Sequence, residues 1–312
     1  MTSRLLWLCL LVLLCAACGP VTALRGLPSA RMLGEKPYLS GSSHPKHRLD
    51  LIVPRQKKGP LVLYVHGGYW ISGDKRYLPV LTGLYGNFGQ ALAREGIATA
   101  ITSYRLAPEV DVEGMLSDVA EATRSVLQPE FIPGYEVTCL VMVGHSAGGH
   151  LATMSLLRTQ QLEAVGVRPS QLAGVVSVAG VLDVPYMAEN MTPARNEEVT
   201  HAVFGRDPAR LLEYSPSSYL QTGEPPLLIL LGEKDYRSIY GATHALVKKR
   251  QASGLKTRFV ELKGYSHEAL VLRVNLGRDP VTKNISAFVK EVCAPASAPT
   301  PTPASTPARE SR

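Results

Sequence analysis

The chain is poor in aromatic residues (6%) and in charged residues (19%). Its net charge of +7 is scattered, and no nucleic-acid recognition motif accompanies it, so nucleic-acid binding is not expected. No spacing of histidine, cysteine and carboxylate residues matches a metal-ligand pattern, so no metal is expected. What is abundant is apolar: 45% of the 312 residues are hydrophobic, which is enough for one large core.

Cysteine is scarce too, and most of it lies outside the expected fold. Cys9, Cys15 and Cys18 are in the first 18 residues, which leaves only Cys139 and Cys293. Disulfide geometry depends on where two residues lie in space, so the sequence leaves the pairing of these two open.

Residues 1–18 have the order of an export signal: one positive charge, an apolar run, and small residues at its end. The run, residues 5–14, is short for a bilayer span. Its end resembles a bacterial lipoprotein box in which Cys18 would become the lipidated first residue, although Cys15 stands where an aliphatic residue is usual. We therefore expect an exported protein, held at a membrane only through Cys18; the alternative is a plain secretory signal.

Both flanks of the central region are expected to lack packed structure. Residues 19–46 show no clear pattern and are predicted to be irregular. Residues 294–312 contain five prolines among alanine, serine and threonine, a composition that predicts disorder. A single domain is therefore expected over residues 47–293.

Within that domain, short apolar runs alternate with amphipathic segments of helical length. The predicted strands are 61–65, 97–102, 137–143, 172–178, 227–231 and 257–262. The predicted helices are 78–95, 112–127, 147–158, 239–253 and 280–292, with Asp111 as the N-cap of the second and Gly254 ending the fourth. Strands rich in valine, leucine and isoleucine predict an α/β fold with a mostly parallel, doubly wound sheet covered by helices on both faces.

Residues 184–223, called the interruption below, break the alternation of strands and helices. This stretch has no clear strand and contains several aromatic residues and methionines. It is either a small cap that forms a lid and a substrate wall, or a helical excursion whose aromatic residues pack on the sheet.

The sequence Gly144-His145-Ser146-Ala147-Gly148 follows a predicted strand and precedes a predicted helix. A G-x-S-x-G motif in this context places its serine on a sharp turn with an exposed hydroxyl, suited to attack on a carbonyl. Ser146 is the predicted nucleophile.

Serine needs a base, and that base needs an orienting acid. In a strand–turn–helix hydrolase both follow the nucleophile in the chain, the acid first. His267 follows the last predicted strand and is the predicted base, because His244 falls in a predicted helix and His201 in the interruption. Asp235 follows the preceding strand and is the predicted acid; Glu233 and Asp183 remain alternatives.

Negative charge on the reacting oxygen needs hydrogen-bond donors. The backbone N–H of Ala147, directly after the nucleophile, is one. The loop His66-Gly67-Gly68-Tyr69-Trp70 follows another strand, and its glycines allow the backbone to approach a substrate.

Together with Tyr104-Arg105-Leu106-Ala107-Pro108-Glu109, these motifs resemble the α/β-hydrolase superfamily over roughly residues 49–292. Within it the chain is similar to the carboxylesterase and feruloyl-esterase-like (BD-FAE-like) branch. The resemblance implies that Gly68 and Tyr69 supply two oxyanion amides beside Ala147, and that Trp70 and His145 contact substrate.

The chain departs from the hormone-sensitive-lipase pattern at two positions. Tyr69 replaces a third glycine, and His145 replaces an aspartate. Both departures match arylformamidases, which cleave N-formylkynurenine, and also occur in secreted esterases.

The expected function is therefore that of an exported serine carboxylesterase acting on a small-molecule ester. No cofactor is expected, because this serine chemistry needs none. A formamidase with the same triad is one alternative, and a catalytically silent binding module of the same fold is another. The sequence does not indicate the oligomeric state.

Overall fold

The computed structural model describes residues 30–76, 83–220, 225–255 and 257–294. The predicted signal at residues 1–18, with Cys18, lies outside these ranges, as does the predicted tail except for Ala294. Eight strands form one sheet: β1 (Ala30–Pro37), β2 (Arg48–Pro54), β3 (Lys58–Val65), β4 (Ala98–Thr102), β5 (Glu136–His145), β6 (Leu172–Val178), β7 (Leu227–Lys234) and β8 (Thr257–Ser266).

The sheet is the mostly parallel one that the apolar runs predict. Its strand order is β1-β2-β4-β3-β5-β6-β7-β8, and β2 runs in the direction opposite to the other seven strands. All five residues of β4 are buried, as are the last five of β3, so both faces of the sheet are covered. The predicted α/β fold is therefore confirmed.

The long helices lie close to their predicted bounds, and short helices fill the interruption. The described α-helices are α1 (Gly83–Arg94), α2 (Val112–Val126), α3 (Ala147–Leu157), α4 (Gln160–Ala164), α5 (Val184–Glu189), α6 (Pro193–Asn196), α7 (Ala202–Phe204), α8 (Pro208–Glu213), α9 (Arg237–Ala252), α10 (Ala269–Leu272) and α11 (Pro280–Val292). Asp111 caps α2 as predicted, since its carboxylate accepts from the N–H of Gly114 at 3.1 Å. Among the described helices, none is long and apolar enough to span a bilayer.

Two strands depart from the predicted organisation. Residues 30–37 form β1 although residues 19–46 are predicted to be irregular, and β2 follows where no strand is predicted. β1 pairs only with β2, its residues are exposed or half-buried, and its register shifts between Met32 and Gly34. An edge strand of this kind buries too little on either face to leave an alternating pattern in the sequence.

A disulfide bond joins Cys139 in β5 to Cys293 at the end of α11, with 5.7 Å between their Cα atoms. It links β5, the central strand that ends next to the predicted nucleophile, with α11, the last helix of the domain. The bond closes a loop across a sequence separation of 154 residues. Such long-range disulfides persist in oxidising compartments.

Candidate active site

Ser146 lies on a strained turn between β5 and α3. Its backbone angles are φ 56° and ψ −120°, in a region that non-glycine residues rarely adopt. The turn leaves no room for a neighbouring side chain, because a Cβ on Gly148 would lie 2.1 Å from the carbonyl oxygen of Val65. The N–H of Ser146 donates to the oxygen of Val178 at 2.9 Å, which fixes the turn to β6.

The loop after β3 packs directly against this turn. A Cβ on Gly67 would lie 3.1 Å from the Cβ of Ser146. Gly68 has φ +125°, and a Cβ there would lie 2.2 Å from the oxygen of Ser72, so only glycine fits. Gly68 and Tyr69 line the same cavity as Ser146. Ala147 begins α3, so its N–H has no partner in the preceding helical turn.

The predicted base and acid form a direct pair. Nδ1 of His267 lies 2.9 Å from Oδ1 of Asp235, with side chains only 7% and 0% exposed. Asp235 follows the end of β7 and His267 follows the end of β8, two neighbouring parallel strands. Their carboxyl ends meet at one edge of the sheet, which brings residues 32 positions apart into contact.

The alternative acids are engaged elsewhere. Asp183 caps α5 through the N–H of Tyr186 at 2.9 Å and also accepts from the hydroxyl of Ser217. The carboxylate of Glu233 accepts from the N–H of Gly264 at 2.8 Å, which holds the turn in β8.

The alternative bases are likewise paired away from Ser146. His244 contacts Glu261 at 2.9 Å, and His201 contacts Glu197 at 2.8 Å. Neither lines the cavity that contains Ser146.

His145 is part of the cavity wall and braces the base. Its Nε2 lies 3.2 Å from the carbonyl oxygen of His267, and the two rings are 4.6 Å apart. Burial, and then the neighbouring His267, hold the pKa of His145 well below its usual value. His145 is therefore neutral, and its N–H can donate to the backbone that carries His267.

Trp70, expected from the sequence to contact substrate, lines neither of the cavities beside Ser146. Its side chain is fully buried, and its ring packs edge-on against His150 at 5.1 Å and Phe204 at 5.0 Å. Nε2 of His150 contacts the carbonyl oxygen of Tyr214 at 2.7 Å. Trp70 thus anchors the interruption at residues 184–223 to the core through two of its aromatic residues.

The first cavity, about 330 Å³, contains Ser146, His267, His145 and the loop of Gly68. Tyr236 and Glu268 border it, and they were not foreseen from the sequence. The hydroxyl of Tyr236 donates to Glu268, and its ring lies 4.7 Å from that of His267. Tyr236 directly follows Asp235 in the chain, and Glu268 directly follows His267. This adjacency to the predicted acid and base could have indicated from the sequence that both residues lie at the cavity.

A second cavity, about 570 Å³, opens from Ser146 toward the interruption. Its walls come from Tyr69, from α5 and the segment after it, and from the first residues of α9. One part of residues 184–220 lines a cavity beside Ser146, as expected of a wall, while Phe204 and Tyr214 pack inside the domain, as expected of a helical excursion.

The buried histidines predict a loss of stability in mild acid. Burial lowers the pKa of His66 and of His150 to about 4, against 6.5 in the unfolded chain. Between these values the unfolded chain binds more protons, so the free energy of unfolding should fall as pH decreases from 6.5 toward 4. Its slope should approach about 2.7 kcal/mol per pH unit for the two groups.

Urea unfolding at several values between pH 5 and 6.5 measures this slope. His150→Gln, whose amide can still donate to the carbonyl of Tyr214, should lower the slope by about 1.4 kcal/mol per pH unit, the contribution of one such histidine. A free energy of unfolding that does not change over this interval would contradict the assignment of neutral buried histidines.

The arrangement supplies the parts of a nucleophilic acyl transfer. Ser146 can attack a carbonyl, His267 can move the proton, and Asp235 can stabilise the imidazolium. The loop of Gly68 and Tyr69 and the first residue of α3 adjoin Ser146, where their amides are available to the reacting oxygen. In the described ranges no group of three histidine, cysteine or carboxylate side chains is placed to hold a metal ion.

The chain is similar to known proteins over most of its length. A family model described as BD-FAE matches residues 49–249. The chain is 26% identical to the probable isoprenylcysteine alpha-carbonyl methylesterase of Oryza sativa subsp. japonica over 260 residues, 78% of this chain and 61% of that protein. It is 32% identical to the kynurenine formamidase of Salmo salar over 171 residues, 53% of this chain and 52% of that protein. The chain thus spans about three fifths of the methylesterase's length.

Solved structures share the fold. Esterase B from Lactobacillus Rhamnosis superposes with a TM-score of 0.70 and 21% identity, covering 93% of this chain and 95% of that one. A truncated carbohydrate esterase from gut microbiota gives a TM-score of 0.71 and 18% identity, covering 85% and 97%. At these identities the likeness concerns the fold alone.

Proposed function

We propose, since the chain belongs to the BD-FAE family, that it is a serine carboxylesterase that works through an acyl-enzyme. The observation that carries the proposal is the 2.9 Å contact of Asp235 with His267 at the cavity that contains Ser146. Relatives named as methylesterases and formamidases support a hydrolase acting on a carbonyl bonded to oxygen or nitrogen.

In the proposed reaction, Ser146 Oγ attacks the ester carbonyl while His267 takes its proton. The amides of Gly68, Tyr69 and Ala147 stabilise the oxyanion, and each donor of this kind contributes about 3–4 kcal/mol. His267 then gives the proton to the departing alcohol. Water, deprotonated by the same histidine, attacks the acyl-enzyme and releases the acid and free Ser146.

The position of the base separates the two halves of the substrate. His267 must reach the leaving oxygen to protonate it, and it lines the first cavity but not the second. The alcohol therefore departs through the first cavity, and the acyl group occupies the second. A volume of about 570 Å³ is far larger than a formyl group needs, which favours an esterase over the formamidase alternative.

Turnover of 4-nitrophenyl butyrate and of N-formylkynurenine distinguishes these functions. We expect kcat/KM for the ester to exceed that for the formamide by at least about tenfold, because formyl leaves the acyl cavity empty and loses its apolar contacts. Fast formamide cleavage with negligible ester turnover would overturn the proposal in favour of a formamidase.

We also propose that the protein is exported and that Cys18 anchors it to a membrane. The apolar run at residues 5–14 supports export, and so does the disulfide bond between Cys139 and Cys293, since such bonds persist outside reducing compartments. A lipid on Cys18 would leave residues 19–29 between the membrane and the first strand.

A further inference from the structure

The second cavity carries positive charge next to the nucleophile. Arg195, from α6, and Arg237, the first residue of α9, both line it, and no carboxylate does among the described residues. The first cavity differs, because Glu268 borders it. The two sides of Ser146 therefore present opposite charges to a substrate.

Both guanidinium groups can bind a negatively charged group of a substrate. Arg195 packs over the ring of Tyr69 at 4.6 Å, which holds it at the cavity wall. Its ion pair with Glu198 is exposed on both sides, 39% and 59%, and such pairs contribute little and exchange readily. Arg237 is exposed, and over the described ranges it forms no ion pair.

Part of the wall that these arginines share with Ser146 is apolar. Val181, Met187 and Ile239 are buried side chains of the cavity wall. An aliphatic chain attached to the reacting carbonyl can contact them, while a charged end group reaches the guanidinium groups. Arginine binds carboxylates in a planar, two-bonded geometry, which suits it to such an end group.

Resting on the function proposed above, we propose that this esterase selects acyl groups that carry a carboxylate at the far end of a short aliphatic chain. The alcohol half of the substrate is then neutral or cationic, because it departs past Glu268. The preferred substrates are half-esters of aliphatic dicarboxylic acids, and the site discriminates them from the corresponding monocarboxylic esters through Arg195 and Arg237.

The test compares 4-nitrophenyl hexanoate with mono-4-nitrophenyl adipate, which has the same chain length and a terminal carboxylate. Rates of the full-length protein are corrected with those of Ser146→Ala, since the half-ester also hydrolyses spontaneously. We expect a higher kcat/KM for the adipate ester. The adipate-to-hexanoate ratio should fall about tenfold or more in the Arg195→Gln/Arg237→Gln double variant.

Arg206→Gln is the matched control. Arg206 belongs to the same interruption, pairs with Glu197 at 2.6 Å and does not line the cavity, so this variant should keep the wild-type ratio. Added salt should lower the wild-type ratio by screening, and should have little effect on the double variant.

Three outcomes are distinguishable. A ratio that is unchanged in the double variant, or that falls equally in Arg206→Gln, overturns the inference and leaves the esterase intact. A preference for 3-carboxyphenyl acetate over phenyl acetate would show that the site selects a carboxylate on the alcohol half of the substrate, and it would also overturn the inference. Failure of the wild-type protein to hydrolyse either 4-nitrophenyl ester contradicts the proposed function itself.

Discussion

Replacing Ser146 with alanine is expected to lower kcat on 4-nitrophenyl butyrate by about 10⁴- to 10⁶-fold. Without the hydroxyl no acyl-enzyme forms, and only the oxyanion amides and substrate binding continue to assist direct attack by water. A fluorophosphonate probe should label the wild-type protein at one site and leave the variant unlabelled. Circular dichroism should show that the variant is folded.

Ser72→Ala is the matched control for this substitution. Ser72 lines the same cavity, and its hydroxyl donates to the oxygen of Gly68 at 2.9 Å. We expect its kcat to stay within about tenfold of the wild type, since one exposed hydrogen bond is lost, and its labelling to persist. Equal labelling of Ser146→Ala and wild-type protein would show that the nucleophile is another residue. Absence of labelling in the wild type would favour a catalytically silent fold.

Asp235→Asn is expected to lower kcat by about 10⁴-fold while leaving the fold intact. An asparagine amide at this position donates to Nδ1 of His267, which moves the imidazole proton to Nε2, where the base must be free. The amide also removes the negative charge that stabilises the imidazolium. Asparagine has nearly the shape of aspartate, so thermal unfolding should change far less than the rate.

Glu233→Gln and Asp183→Asn are the controls, because these two carboxylates were the alternatives for the acid. Each holds backbone or hydroxyl groups away from His267, so each substitution should affect stability more than kcat. A 10⁴-fold loss in either control, with a mild effect in Asp235→Asn, would reassign the acid.

The sequence predicts the parts of this molecule whose signal is local. Residues 172–178 are a mostly apolar run that predicts a strand, and they form one in the structure with the predicted bounds. The nucleophile turn, the glycine loop and the loop of His267 each follow such a strand. In a parallel sheet their positions at one edge then follow from the chain order.

What the sequence does not predict depends on long-range packing. β1 has one neighbour and little burial, so it leaves no periodic pattern. Trp70 lies two residues beyond Gly68, in a loop predicted to bind substrate, and its burial depends on Phe204, which is 134 positions away. The charge of the second cavity arises because α6 and the start of α9, which are far apart in the chain, both line it. No local pattern relates Arg195 to Arg237.

The disulfide bond also determines what a single cut in the chain can do. Ser146, Asp235 and His267 all lie between Cys139 and Cys293, so the whole triad belongs to one covalent ring. Leu212, 53% exposed in the interruption, lies between the nucleophile and the other two residues. Proteolysis there would divide the triad between two polypeptides, yet the ring keeps both attached to the same sheet. A chain linked this way can be cut once in the interruption and still hold Ser146, Asp235 and His267 in one covalently joined molecule.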